Sequence, residues 1–403
     1  MNWQDAKFDD HVTALSAYLV ERGIIRERDW NSRVWRTGLR HVPRHKFVPN
    51  QAYAHAVQPG EASRPIDRKA NSADWWRAVY TDCAIITQRE GGIIPVGDPA
   101  GNPTCSLSAP SIALTFLDEL DVQDHHRVLD VGTGTGWTAA MLSWRLRERQ
   151  VVTVEVDETL ADTAGRNLNR AGYSPELIVG DGTMGAPGLG PFDRIHVTCG
   201  VRDIPYEWIE QTRPGGVIAM PYMPAPTALQ GGQRLLLTVL EDGTARGRFT
   251  GRSSYMMLRS QERPVDLGQI TDEGRHSTTD FHPRNLADLT GPRYEGALLM
   301  LASAMPTVMV EAQQERRDDD TWGYVCRLYD LAGSSWAICH GTPTETEADV
   351  AQFGERNLWE ELETAYYSWI RQGQPDRTKF GMMVTPDSQY VWLDTPTAAL
   401  LYL

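Results

Sequence analysis

Three glycines at alternate positions, beginning two residues after an acid in an apolar run, constrain this chain more than any other feature. The stretch 128–136 reads VLDVGTGTG, and a helical pattern follows from Trp137 to about Leu146. This order predicts a buried parallel strand, a tight loop and the start of a helix. Glycine lets the backbone approach a bound molecule more closely than a residue with a Cβ atom does. The loop is therefore a predicted ligand-binding element.

The spacing of the glycines discriminates between ligands. Dinucleotide sites use G-x-G-x-x-G, and nucleoside triphosphate loops need a Lys after the last glycine. The chain has neither at 132–136. G-x-G-x-G after an acidic strand end is the form that S-adenosylmethionine enzymes use. We therefore expect S-adenosylmethionine as cofactor and S-adenosylhomocysteine as product.

Two further predicted strands end in acids. Glu155 ends the strand 151–155, and Asp181 follows the strand 177–179. Ligands of open α/β sheets bind at the carboxyl ends of the strands, so Glu155 is placed to accept ribose hydroxyl protons and Asp181 to meet adenine. One such acid alone would suggest a solvated loop residue or a helix cap, but three in register favour a cofactor site. The cofactor-binding candidates are Asp130, Gly132, Thr133, Gly134, Gly136, Glu155, Val156, Asp181 and Gly182.

Strand and helix patterns alternate from 127 to about 222. This predicts an α/β fold, a doubly wound Rossmann-like sheet with helices on both faces. Segments 234–240 and 245–257 are predicted to form an antiparallel pair at its edge. We expect an N-terminal helical and lid region at 1–80, a methyltransferase domain at 81–258, a linker at 259–289 and a small α+β domain at 290–403 that could bind peptide. Segment 297–302 is predicted to be a strand, and 50–105 to be rich in turns.

Composition limits the partners. The net charge is -14 over 403 residues, so a nucleic-acid backbone would be repelled and no nucleic-acid partner is expected. The five cysteines form no CxxC pair, which favours a reducing cytoplasm and no metal site. No apolar run of about 18 residues exists, so no membrane span is expected.

Several motifs together resemble the protein-L-isoaspartate O-methyltransferase family over residues from about 40 to 258. They are VPRHKFVP at 42–49, LSAP at 107–110, the glycine loop, VGDGTMG at 179–185, IHV at 195–197 and RPGG at 213–216. The Ser-x-Pro element is the family's active-site signature. The resemblance implies that the Ser108 hydroxyl donates to one substrate carboxylate oxygen and points the other at the methyl group. Without it, Ser108 is a turn residue before Pro110.

The substrate-binding candidates are Ser106, Ala109, His196 and Thr198. For His196, the alternative of a structural histidine is favoured. An Asp carboxylate is already ionised at neutral pH, so methyl transfer to it needs alignment and removal of water rather than a general base. The ester can then close to an aspartimide, because attack by the next backbone nitrogen is intramolecular.

Two departures from the family bear on the function. Thr183 stands where the family commonly has Arg, and the chain continues to 403. The tail resembles the extension on actinobacterial homologues that accompany ribosomal-peptide pathways. We therefore expect methylation of an aspartate or isoaspartate in a ribosomally made peptide. The alternatives are a general isoaspartate repair enzyme and a binding protein with an inactive methyltransferase fold. The intact acids and Ser108 argue against the last.

Overall fold

The computed structural model describes residues 3–56, 62–224, 232–262, 274–281, 285, 294–316, 320–331, 333–342 and 345–396. The chain divides into two compact units. The first comprises Met1–Cys199 and Glu207–Met220, and the second comprises Gly200–Tyr206 and Pro221–Leu403.

The first unit contains the predicted α/β region. Its helices are α1 (Trp3–Glu21), α2 (Trp30–His41), α3 (Ser72–Val79), α4 (Pro110–Glu119), α5 (Trp137–Arg145), α6 (Glu158–Ala171) and α7 (Tyr206–Glu210). Its strands are β1 (Gln51–Ala56), β2 (Arg64–Asp67), β3 (Cys83–Arg89), β4 (Pro103–Leu107), β5 (Val128–Val131), β6 (Val151–Glu155), β7 (Glu176–Val179), β8 (Phe192–Val197) and β9 (Thr212–Tyr222).

The parallel sheet of this unit has the order β9-β8-β5-β6-β7. Every residue of β5 and β6 is buried, as expected of strands that helices cover on both faces. Helix α6 begins at Asp157, whose side chain accepts from the backbone N–H groups of Thr159 and Leu160, and ends at the left-handed Gly172. The predicted Rossmann-like α/β methyltransferase fold is confirmed.

A second sheet in the first unit is antiparallel, with the order β2-β1-β3-β4. It occupies the region that the sequence predicts to be rich in turns. Its strands are short, and Gly- and Pro-rich segments lie between them. These segments are the reason that the sequence predicts turns there. Strand β4 leads through Ser108 and Ala109 directly into α4, where Pro110 takes the first helical position. The sheet thereby positions the Ser-x-Pro element.

The second unit is rich in β-structure. Its strands are β10 (Gln233–Val239), β11 (Ala245–Arg252), β12 (Arg275–Thr279), β13 (Val308–Arg316), β14 (Trp322–Asp330), β15 (Trp336–Gly341), β16 (Ala348–Phe353), β17 (Phe380–Val384) and β18 (Gln389–Leu393). Its helices are α8 (Glu295–Ala304) and α9 (Leu358–Arg371). The predicted antiparallel pair β10–β11 is confirmed, and the hairpin β17–β18 pairs with β11. The other strands form an antiparallel sheet in the order β12-β16-β15-β14-β13.

Two local predictions are wrong. Segment 297–302 is part of helix α8, whose residues Gly296–Ala302 are all buried, and a helix buried all round has no periodicity to separate it from a buried strand. Segment 213–216, whose Arg-Pro-Gly-Gly sequence predicts a turn, is instead part of the start of β9. The region expected to be a linker contains β12, although residues 263–273, 282–284 and 286–289 lie outside the described residues. The domain boundaries stay predictions.

Candidate active site

The glycine loop joins β5 to α5 with three left-handed residues. The φ angles of Gly132, Gly134 and Gly136 are 92°, 56° and 98°. A Cβ atom on Gly132 would lie 2.6 Å from Thr198 Oγ1 and 2.7 Å from Cys199 Sγ. A side chain at this position would therefore be strained twice, by its φ angle and by its neighbours. The loop passes close beneath the segment that follows β8.

Glu155 holds this loop in place from the end of β6. Its side chain is 6% exposed, and its Oε2 atom accepts from the Gly134 N–H at 2.8 Å. Its Oε1 atom accepts from the Asp157 N–H at 3.1 Å. A carboxylate offers about four acceptor positions, so it can support backbone and bind ligand hydroxyls with the same group. The next residue, Val156, is 43% exposed.

Asp181 lies beyond the end of β7, the strand beside β6. Glu155 pairs in register with Val179, two residues before Asp181, so both acids are at the same edge of the sheet. Asp181 is exposed, and its Oδ1 atom accepts from the Thr183 N–H at 3.0 Å. Gly182 is buried, and its carbonyl accepts from the indole of Trp208 at 2.8 Å. The structure thus brings Glu155 and Asp181 to the edge that the sequence indicates.

Asp130 and His196 lie in the core instead. Both are 0% exposed, and Asp130 Oδ1 lies 2.7 Å from His196 Nδ1. Asp130 Oδ2 also accepts from Thr153 Oγ1 at 3.2 Å and from Thr138 Oγ1 at 3.4 Å. Neither side chain has surface with which to contact a ligand in this structure. The expectation that His196 contacts substrate is replaced by the structural alternative, because β5 and β8 are neighbours and place the two side chains together.

The two threonines of the prediction are also engaged with protein atoms. Thr133 is buried, and its Oγ1 atom lies 2.7 Å from Thr153 Oγ1. Thr198 is half-buried and donates to the carbonyls of Val131 at 3.0 Å and Gly132 at 2.6 Å. Thr198 therefore braces the glycine loop from the end of β8. This contact accounts for its position at the site without a substrate.

The end of β4, which leads directly into the Ser-x-Pro element, packs on the glycine loop. A Cβ atom on Gly134 would lie 3.4 Å from Cys105 Sγ and 3.8 Å from the Ser106 carbonyl oxygen. Ser106 and Ser108 are half-buried, whereas Ala109 is 0% exposed and can offer a substrate only its backbone. In the first unit, the predicted cofactor loop and the predicted catalytic segment therefore lie next to each other.

Arg44 is the main residue that the sequence did not single out for a role. It is 1% exposed and lies in the single helical turn Arg44–Lys46, within the 42–49 motif. Its guanidinium donates to the carbonyls of Val79 at 2.7 Å, Cys83 at 3.0 Å and Ser108 at 2.8 Å. Burial lowers the pKa of this guanidinium.

A second contact fixes the other side of the element. Asp82 Oδ1 accepts from the Ser111 N–H at 2.8 Å, in the first turn of α4. Together, Arg44 and Asp82 hold the backbone on both sides of Pro110. The motif 42–49 contains Arg44 and was the available sequence signal for its role. A motif does not show which carbonyls a buried guanidinium contacts.

Replacing Arg44 with lysine is expected to lower the free energy of unfolding by about 1–3 kcal/mol, because one ammonium cannot reach carbonyls on three segments. The rate of methyl transfer should fall as well, since Ser108 loses a backbone anchor. Urea denaturation and initial rates measure the two effects. Arg28→Lys, on an exposed arginine, is the matched control. Equal stability and rate in both variants would contradict the anchoring role.

The Cys199 thiol near the loop is not poised for nucleophilic chemistry. Burial, with a further contribution from Glu155 and Asp130, raises the pKa of Cys199 to about 12. This thiol is therefore protonated at neutral pH. Within the described ranges, no group of three or more His, Cys, Asp or Glu residues could hold a metal ion, and no helix there could cross a membrane.

Comparisons with known proteins agree with this geometry. The family model for protein-L-isoaspartate(D-aspartate) O-methyltransferase (PCMT) matches residues 61–261. The chain is 36% identical over 160 residues to a protein-L-isoaspartate O-methyltransferase of Methanopyrus kandleri, covering 39% of this chain and 69% of that protein. It is 33% identical over 207 residues to the enzyme of Thermococcus sibiricus, covering 50% of this chain and 73% of the other.

The chain belongs to the protein-L-isoaspartate O-methyltransferase family. It is accordingly an S-adenosylmethionine-dependent carboxyl methyltransferase that releases S-adenosylhomocysteine. A solved protein-L-isoaspartate O-methyltransferase structure matches with a TM-score of 0.51 at 17% identity, over 95% of this chain and 100% of that one. This match supports the fold and extends into the second unit. The likeness of the tail to ribosomal-peptide enzymes stays a prediction.

Proposed function

We propose that this protein methylates the free carboxylate of L-isoaspartyl residues in peptides and proteins. The observation that carries the proposal is the packing of the end of β4, just before the Ser-x-Pro element, on the glycine loop, with Cys105 Sγ in ordinary contact distance of a Cβ at Gly134. A methyl donor held by the loop and a carboxylate held by the element would then be neighbours. The relatives, which are protein-L-isoaspartate O-methyltransferases, support an isoaspartyl substrate.

The cofactor candidates form two groups, one at the carboxyl edge of the sheet and one in the core. Glu155 and Asp181, at the carboxyl ends of adjacent strands, bind the ribose and the adenine edge, with Val156 and Gly182 beside them. The backbone of 132–136 cradles the donor. Asp130 and Thr133 support this loop from the core through their contacts with His196 and Thr153, respectively. Their contribution to cofactor affinity is therefore indirect.

The chemistry asks little of the protein beyond placement. S-adenosylmethionine supplies a methyl group on a sulfonium, which becomes a thioether when the carboxylate oxygen takes the methyl. The carboxylate is ionised at neutral pH, so no side chain has to remove a proton. Ser108 donates a hydrogen bond to one carboxylate oxygen and orients the other. Because a cation and an anion combine, exclusion of water by the half-buried segment favours the transfer.

The ester then reacts without further help. The backbone nitrogen of the following residue attacks the ester carbonyl, the nitrogen loses its proton, and methanol leaves as the imide ring closes. Water reopens the ring to aspartate or isoaspartate. The protein's part ends with the ester.

The substrate class is tested with three peptides: an isoaspartyl peptide, the same sequence with aspartate, and a ribosomal precursor peptide encoded beside this gene. We expect gain of one methyl on the isoaspartyl peptide, read by mass spectrometry. Methylation of the precursor alone would replace repair with the peptide-tailoring role expected from the tail. Absence of methylation on all three would overturn the proposal. A cytoplasmic location stays a prediction.

Glu155→Ala is expected to weaken S-adenosylhomocysteine binding by about 1.5–3 kcal/mol, roughly 10–150-fold, through loss of charged hydrogen bonds. Titration calorimetry measures the affinity. Glu158→Ala, three residues on and exposed, is the control. An S-adenosylhomocysteine analogue that lacks the ribose hydroxyls distinguishes ribose binding from loop support. The parent protein should bind this analogue more weakly than S-adenosylhomocysteine. If Glu155 binds the ribose, Glu155→Ala should bind the two compounds with equal affinity. An undiminished difference in affinity would assign Glu155 to loop support alone.

A further inference from the structure

A separate cavity of about 700 Å³ lies in the first unit, between the 42–49 motif, the end of β3 and the exposed side of α6. It shares one residue with the glycine loop, Thr135. Neither Ser108 nor Glu155 lines it. The lining residues that matter here are His45, Lys46, Arg68, Thr87, Thr135 and Arg170.

The cavity is cationic in an acidic protein. Lys46, Arg68 and Arg170 line it, although the chain has a net charge of -14. In the part of the chain that the structure describes, none of the three has a carboxylate within ion-pair distance. Arg68 lies over the rings of Trp75 and Trp76, at 4.8 and 5.6 Å from their centroids. Arg68 is thus held by aromatic contacts, and Arg170 by the Lys46 carbonyl and by Asn167 Oδ1, rather than by acids.

The charges of the three cations all affect the pKa of His45. Burial, followed by the charges of Arg68, Lys46 and Arg170, lowers the pKa of His45 to about 4. His45 is therefore neutral at physiological pH, and its own Nδ1 atom lies 2.7 Å from Tyr80 Oη. Cations that are not paired with a carboxylate attract an anion into the cavity.

Two residues that line the cavity carry hydroxyl groups without a described hydrogen-bond partner. Thr87 Oγ1 and Thr135 Oγ1 are buried and have no hydrogen-bond partner in the described structure. Thr135 is 4% exposed as a whole residue. Buried hydroxyls are normally paired, so an orphaned pair lining a cationic cavity indicates a ligand with acceptor oxygens. Asp157 does not compete for the site, since it is bonded to Gln88 Nε2 and caps α6.

Strand register relates this cavity to the reacting segment. Gln88, next to Thr87, pairs with Cys105 of β4, three residues before Ser108. At about 3.3 Å per residue, Ser108 is about 10 Å further along the strand. An extended peptide covers that distance with roughly three or four residues.

We propose that this cavity binds the carboxylate of a second acidic side chain in the peptide substrate, three or four residues from the methylated position. The inference rests on the proposed function for its substrate, and it adds a preference for acidic peptides. Lys46 and Arg170 attract the carboxylate, and the two threonine hydroxyls donate to it. A free phosphate has related chemistry and is distinguished in the test.

The test uses isoaspartyl peptides in which a single glutamate is moved through the positions two to five residues on either side, each matched by a glutamine peptide. We expect one or two offsets at which glutamate lowers KM about tenfold, with kcat unchanged. Lys46→Gln should remove this difference. Lys69→Gln, an exposed lysine outside the cavity, should retain it.

Binding of fluorescently labelled glutamate and glutamine peptides, measured without turnover, separates the two proposals. Loss of the charge preference in Lys46→Gln supports the cavity even if methylation fails. Equal KM values and equal binding of both peptides at every offset would overturn it while leaving isoaspartate methylation intact. Inorganic phosphate should raise KM for the glutamate peptide alone. Phosphate binding without any peptide preference would assign the cavity to a free anion instead.

Discussion

Ser108→Ala is expected to lower kcat/KM for an isoaspartyl peptide by about 10²–10³-fold, the usual loss when one placed donor to a reacting oxygen is removed. Affinity for S-adenosylhomocysteine should be unchanged, since Ser108 belongs to the segment that packs on the glycine loop and not to the loop. The physical reason is orientation: without the hydroxyl, the carboxylate samples positions from which neither oxygen is in line with the methyl.

Steady-state rates and calorimetric titration together check this result. Ser111→Ala is a matched control, because Ser111 is also half-buried and its described contact to Asp82 uses the backbone N–H. Ser106→Ala tests the second serine of the element, for which we expect a smaller loss. Full activity in Ser108→Ala would remove Ser108 from its role. Weakened cofactor binding in the same variant would mean that the substitution disturbs the loop rather than the substrate.

The second large effect concerns stability rather than rate. Asp130→Ala is expected to lower the free energy of unfolding by about 1–3 kcal/mol through His196 alone, because it leaves the fully buried His196 Nδ1 without its hydrogen-bond partner. The hydroxyls of Thr138 and Thr153 lose an acceptor at the same time. Thermal and urea unfolding, followed by tryptophan fluorescence, measure the loss.

Asp181→Ala separates this role from cofactor binding. Asp181 is exposed, and it accepts a hydrogen bond from the local Thr183 N–H. Its removal should therefore leave stability nearly unchanged and weaken cofactor binding. Both acids follow predicted strands in the sequence, yet we expect opposite effects of their removal. Asp130→Ala should mainly lower stability, and Asp181→Ala should mainly lower cofactor affinity. Similar stability in both would contradict the structural role of Asp130.

The sequence predicts the central part of the fold well because its signals are local. An apolar run, an acid and spaced glycines act within ten residues, and the strand, loop and helix at 128–145 follow from them. Glu155 and Asp181 were found by the same strand-end rule, and the structure brings both to one edge. Such positions need no knowledge of what packs against them.

What the sequence could not indicate depends on distant partners. Asp130 obeys the strand-end rule as well as Glu155 does, but β8 brings His196 against it and turns it inward. Arg44 would ordinarily be expected at the surface, since arginine is almost never fully buried unless paired. Its partners are carbonyls from segments 35 to 64 residues away, which no spacing reveals. Helix α8 lacked a polar face, so its period was hidden.

The pairing of β17 with β11 has a practical consequence for anyone shortening this protein. A chain cut near 261, where the match to the family model ends, would keep β10 and β11 but remove the hairpin that covers the outer side of β11. The exposed row of amide and carbonyl groups would recruit other chains and favour aggregation. A lost activity in such a truncation would then report on a damaged sheet, and the tail is better probed by point changes.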